Sequence, residues 1–156
     1  MIKETLVSFV ASFGFGIMFN IKGKKLVFAA IGGGLSWFVY SLFLKLNVSN
    51  VLSLFISSVV FSIYSEICAR ILKTPVTTIV ICALIPLVPG AGMYYTMYET
   101  ITGNIMGALE VGMSTLASAG MLALGVIFVS TITRQITNFR RIKKMRLENK
   151  KIINNC

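Results

Sequence analysis

Few side chains in this sequence are able to do chemistry, and their types limit what the protein does. The 156 residues include no histidine and no aspartate, and the acids are Glu4, Glu66, Glu99, Glu110 and Glu148. That inventory excludes paired-carboxylate hydrolysis and histidine-based triads. Cys68, Cys82 and Cys156 form no C-x-x-C pair and have no histidine beside them, so they read as buried free thiols rather than a metal site. No cofactor is implied, and no G-x-x-x-x-G-K-[ST] string is present to hold a nucleotide phosphate. What remains is a string that breaks a helix, Pro86-Leu87-Val88-Pro89-Gly90, the cluster Tyr94, Tyr95, Tyr98 and Glu99 after it, and the pair Glu66 and Arg70.

The elements that must position these residues are membrane helices. Hydrophobic residues make up 56% of the chain and charged residues 13%, a composition outside that of soluble domains. Apolar runs at 5–21, 26–44, 48–72, 75–95 and 105–133 predict an all-α polytopic membrane protein of five spans. The runs are continuous and lack the alternating segments of an outer-membrane barrel. The first run has no small-residue cleavage site after it and reads as a retained helix rather than a secretory signal.

Lysine and arginine set the orientation, because cytoplasmic loops retain them. With five spans and the N-terminus outside, thirteen basic residues fall inside, namely Lys22, Lys24 and Lys25, then Arg70 and Lys73, then eight from Arg134 to Lys151. Only Lys3 and Lys45 fall outside. The chain divides into a transmembrane domain, 1–134, and a polybasic cytoplasmic tail, 135–156. The tail is a topology determinant that attracts anionic lipid. Its single aromatic, Phe139, gives no row of rings for base stacking, so nucleic acid is not the expected partner.

The fourth run carries the strongest signal. At 1.5 Å per residue from Pro75, the P-x-x-P-G string lies roughly 17–22 Å into the membrane, in its outer half. The two prolines remove the N–H groups that would bond the carbonyls of Cys82 and Ile85. Unsatisfied backbone at that depth is tolerated only against protein or a wet cavity. Two readings stay open, a tolerated kink and a discontinuous helix. A discontinuous helix suits a transporter, since freed carbonyls attract an ammonium and the next helix N-terminus attracts a carboxylate.

Around the break the readings again divide. The three tyrosines read as an interfacial aromatic belt or as a gate, with Tyr95 and Glu99 on one helical face. Glu66 and Arg70, four apart near the inner end of the third span, read as a structural ion pair or as a coupling pair for protons or substrate. Glu110 falls at the outer headgroup level by counting back from Thr133, which makes it a weak candidate. Small residues cluster at Gly14 to Gly16, at Gly32 to Ser36 and from Gly112 to Gly125, where close helix packing, within the chain or with a partner subunit, is expected.

Taken together, Phe19-Asn20, Gly33-Gly34-Leu35-Ser36-Trp37 with Tyr40, Ser65-Glu66 with Ala69-Arg70, Lys73-x-Pro75, and Ile85-Pro86-Leu87-Val88-Pro89-Gly90 with Tyr94 resemble the threonine/serine exporter family, in its C-terminal half. In many bacteria that half is a separate small subunit. The resemblance implies an inner-membrane efflux protein for small amino acids, or in some split systems for a dicarboxylate such as succinate, with proton coupling. It also implies a larger membrane partner subunit, in a hetero-oligomer or with several copies of this chain. On that reading Pro86, Pro89, Gly90, Tyr94, Tyr95 and Glu99 line the substrate pathway, and Glu66 and Arg70 support or couple it. The absence of deep lysine or arginine tilts the substrate toward a zwitterion. A non-transporting structural subunit is the competing class.

Overall fold

The computed structural model describes the backbone of residues 2–154 and the side chains of residues 2–137 and 139. The basic side chains from Arg140 to Lys151, and Cys156, lie outside the described residues. The described elements are helical: α1 (Ile2–Met18), α2 (Lys24–Lys45), α3 (Asn50–Ile71), α4 (Val76–Leu84), a short 3₁₀ turn (Ile85–Leu87), α5 (Gly90–Ile101) and α6 (Ile105–Asn154).

Each predicted run produces a helix because its apolar residues are uninterrupted and lipid leaves the backbone no partner but itself. The stops are local. After α1, α2, α3 and α5 the chain passes through a left-handed residue, Asn20, Asn47, Lys73 and Gly103 respectively. Each stop closes a Schellman motif, with Ile21 N–H on Gly16 O, Val48 N–H on Phe43 O, Thr74 N–H on Ala69 O and Asn104 N–H on Glu99 O. Asparagine and glycine tolerate that conformation best, which explains why three of the four stops use them.

α2, α3 and the 33-residue stretch Ile105–Thr137 of α6 are long and apolar enough to cross a membrane. The α4–3₁₀ segment and α5 supply a fourth crossing if the bent pair counts as one span. The expected fifth, α1, has 17 residues, about 25 Å, at the short end of what a crossing needs. A further difference from the expected layout is the length of α6, which runs without interruption past residue 134 into the basic tail. From Arg140 to Lys151 every residue but Ile142 and Asn149 is arginine, lysine, methionine, leucine or glutamate, all strong helix formers.

α2 is the hub of the bundle, packing on α1, α3 and α4, while α3 also packs on α4 and α6, and α5 packs chiefly on α6. The main apolar cluster joins Leu54 and Phe61 of α3, Ala83 of α4, Leu87 and Leu122 of α6. Elsewhere the polarity is that of a membrane protein. All of the buried polar side chains among the described residues are serines, whereas leucine, isoleucine, valine, methionine and phenylalanine crowd the outer surface. Serine suits such an interior because it is small and its hydroxyl bonds a carbonyl. Gly33 shows the closeness this permits, since a Cβ there would collide with Ser12 of α1.

Candidate functional site

The break in the fourth hydrophobic run is real and sharp. α4 ends at Leu84, Ile85–Leu87 tightens to 3₁₀, and α5 restarts at Gly90 in a direction turned by 53°. Pro86 and Pro89 cause it, since neither supplies an N–H to the helix ladder. The two carbonyls expected to be exposed are treated differently. Ile85 O accepts Val88 N–H at 3.3 Å, a 3₁₀ bond that replaces the lost α-helical one. Cys82 O sits beside Gly33 of α2.

A neighbouring carbonyl is held from outside its own helix. The Ser36 hydroxyl, fully buried in α2, lies 2.8 Å from Ala83 O and 2.8 Å from Gly33 O, and Ser57 of α3 donates to Ser36 O at 2.6 Å. Three helices are thereby fastened at the level of the break. Sequence reasoning missed this seam. Its signal was present in α3, where Ser53, Ser57, Ser58, Ser62 and Ser65 recur at helical spacing on one buried face.

On the other side of the break a groove of about 410 Å³ opens between α5, α6 and the start of α3. Pro89, Ala91 and Gly92 form one wall, Glu110, Ser114, Thr115 and Ser118 of α6 the other, and Asn50 closes the end. Close approach of the helices depends on Gly92 and Gly112, which sit against Thr115 and Thr96. The first-turn N–H groups of α5 receive no side-chain cap. Thr115 donates its hydroxyl hydrogen to Val111 O at 2.7 Å and Ser118 donates its own to Ser114 O at 2.9 Å. With those hydrogens committed to α6, both hydroxyls present oxygen lone pairs to the groove. Asn50 Oδ1 accepts Tyr40 O–H at 2.7 Å, so this amide offers the groove its N–H groups. Glu110, placed by counting at the headgroup level, is the charged side chain of the lining.

The predicted residues therefore separate into four places. Pro89 lines the groove, with Pro86 and Gly90 flanking it at the break. Tyr94, Tyr95 and Tyr98 project from α5 with 64%, 55% and 52% exposure, the Tyr94 ring stacked on Tyr98 and edge-on to Tyr95, all outside the groove lining. Glu99 serves the corner between α5 and α6. Its Oε2 accepts Asn104 Nδ2 at 2.8 Å, while Asn104 Oδ1 accepts Gly107 N–H at 3.2 Å and caps α6.

Glu66 and Arg70 lie about 24 and 30 Å along α3 from Asn50. Arg70 Nε is 3.8 Å from Glu66 Oε2, and Arg70 Nη2 donates to Thr137 Oγ1 at 2.7 Å, tying α3 to α6. The pair borders a second recess of about 210 Å³ with Ile63, Ile67, Thr133 and Ile136.

A broken apolar span with a polar groove at the break is a transporter's architecture, and comparison with known sequences agrees. A family model described as Threonine/Serine exporter, ThrE, matches residues 4–132. The chain belongs to the threonine/serine exporter family. The match takes in every helix except the extension of α6, so the groove, the serine seam and the Glu66–Arg70 pair all fall at or within its bounds. No curated protein and no solved structure matches the chain. Family membership makes the protein an exporter-type membrane transport protein, and that family is a transporter family rather than an enzyme class.

Proposed function

We propose that this exporter moves small amino acids of the threonine/serine type out of the cell, as the small membrane subunit of a secondary transporter with a larger partner subunit. The groove beside Pro89 carries this reading. It pairs the uncapped start of α5, favourable to a carboxylate, with the Glu110 carboxylate and the Thr115 and Ser118 oxygens, favourable to an ammonium. A zwitterion needs both ends. A dicarboxylate such as succinate fits less well, because no lysine or arginine lines the groove. Pro86 and Gly90 keep the break open, and Tyr94 and Tyr95 stand at its rim. Glu66 and Arg70 are the coupling pair at the opposite end of α3.

Charge distribution supports placement in the plasma membrane with the N-terminus outside and the 135–156 tail at the cytoplasmic face, attracted to anionic lipid. The larger partner is expected to co-purify in mild detergent, and full-rate flux by this chain alone in liposomes would refute the split-subunit reading. The site is tested by changing Pro86, Pro89 and Gly90 together to alanine. A Cβ at Gly90 meets open space, so the variant introduces no clash there. Alanine favours a helix interior by about 3 kcal/mol over proline and about 1 kcal/mol over glycine, so the helix closes. The variant is expected to insert and assemble but to let threonine and serine accumulate inside the cell, with succinate unaffected. Export near the wild-type rate would refute the assignment.

A further inference from the structure

The groove at the break is the first of three recesses that follow one another along a single side of α6. It touches α6 from Glu110 to Ser118. An apolar recess of about 330 Å³ comes next, touching α6 from Ala119 to Ile127 and bounded across from it by Val80, Leu84, Val88 and Pro89. Pro89 borders both, so the two meet at the break. The third, beside Glu66 and Arg70, touches α6 at Thr133 and Ile136.

The α6 residues involved form one stripe. Val111, Thr115, Ser118, Leu122, Val126 and Thr133 are spaced by four, three, four, four and seven, the repeat that keeps side chains on one helical face. From Glu110 to Ile136 the recesses follow 27 residues of continuous helix, about 39 Å, close to the full thickness of a bilayer with its headgroup regions. A carboxylate stands at each end, Glu110 at one and Glu66 at the other. Between them, over about 12 Å from Ala119 to Ile127, the recess is lined by apolar side chains alone. Leu122 and Val129 are closed off at 3% and 5% exposure, Leu122 packing into the cluster with Leu54 and Phe61.

We infer that this face of α6 is the wall along which substrate crosses the membrane, with Leu122 and Val129 as the closed gate between a polar vestibule at Glu110 and a second at Glu66 and Arg70. The inference rests on the reading that the groove at the break takes substrate, and extends it to the rest of the path. An apolar stretch of this length excludes a zwitterion until it wets, which is how hydrophobic constrictions gate. The structure is accordingly the occluded form, and transport requires α6 to separate from α3 at the Leu122 level. The α3–α6 contact held by Arg70 and Thr137 is placed to open with it.

The test is cysteine scanning in the assembled exporter in membranes, with a charged, membrane-impermeant methanethiosulfonate reagent and the unsubstituted chain as blank. Ser118, Leu122, Val126 and Thr133 are replaced singly, with the exposed Leu124 and Phe128 as lipid-facing controls. Cysteines on the stripe are expected to react at least tenfold faster than those at Leu124 and Phe128, and saturating threonine should slow them at least threefold. Leu122→Ser is expected to raise threonine leak about tenfold by wetting the gate. If Ser118→Cys is labelled and protected while Leu122→Cys and Val126→Cys react no faster than the controls, the path does not follow α6 and the inference falls, with the groove assignment intact. If Ser118→Cys is also unreactive and the Pro86, Pro89, Gly90 triple-alanine variant exports normally, the groove assignment falls as well.

Discussion

Ser36→Ala probes the fastening of the broken helix, because the Ser36 hydroxyl is the group that reaches Ala83 O from another helix. Ser36 is fully buried, so water does not replace the missing donor. Leaving a buried carbonyl unpaired costs about 1–3 kcal/mol, whereas side-chain hydrogen bonds between membrane helices average about 0.6 and reach about 1.7 kcal/mol. A loss of about 1–2 kcal/mol is expected, measured by steric trapping or denaturant unfolding of the reconstituted protein. The informative comparison repeats the change in the variant with Pro86, Pro89 and Gly90 all alanine. There a continuous helix brings Leu87 N–H onto Ala83 O, and the Ser36 hydroxyl becomes dispensable. The cycle should therefore show a coupling of about 1 kcal/mol between Ser36 and the break. Ser57→Ala is the control, since its 2.6 Å bond goes to Ser36 O and not to the broken segment. Equal losses for Ser36→Ala in both backgrounds would show that the hydroxyl does not compensate the break.

Three further outcomes are expected. A cysteine at Lys45 or Thr102 should react with an impermeant reagent from outside intact cells while Cys156 is spared, and labelling of Cys156 would invert the topology. Gly92→Leu should wedge α5 away from Thr115 of α6 and fill the groove, cutting export at least tenfold with membrane insertion unchanged; normal export would show that substrate does not use that space. Glu66→Gln should change stability by less than about 1 kcal/mol, because its partner Arg70 is half-exposed and the pair is 3.8 Å apart, yet flatten the pH dependence of export. An unchanged pH profile would leave the pair a purely structural tie.

The sequence by itself determined the helical runs and where the fourth is disturbed, leaving a kink and a full break both open. Uninterrupted apolar runs have one outcome in lipid, a helix that satisfies its own backbone, and Pro86 and Pro89 interrupt that ladder wherever they are placed. The family was legible for the same reason, since its most specific string, Ile85 to Gly90, is the string that breaks the helix. Other features were beyond it. Whether the run at 5–21 crosses the membrane depends on where its helix lies, and the helix occupies Ile2–Met18 because Asn20 ends it early. That α6 continues past residue 134 reflects the helix propensity of its basic stretch, which an apolar-run count ignores. The largest gap was the site. Counting along one helix put Glu110 at the headgroup level without showing what it faces, and grouped Glu99 with the break. Packing sets Glu110 in a groove with Asn50, sixty residues earlier in the chain, and turns Glu99 toward the Asn104 cap. Sequence distance along a helix fixes depth, but which side chains share a cavity is set by how the helices cross. Here the crossing depends on Gly92 against Thr115, Gly33 against Ser12 and a serine on α2 reaching a carbonyl on α4, contacts between residues far apart in the chain.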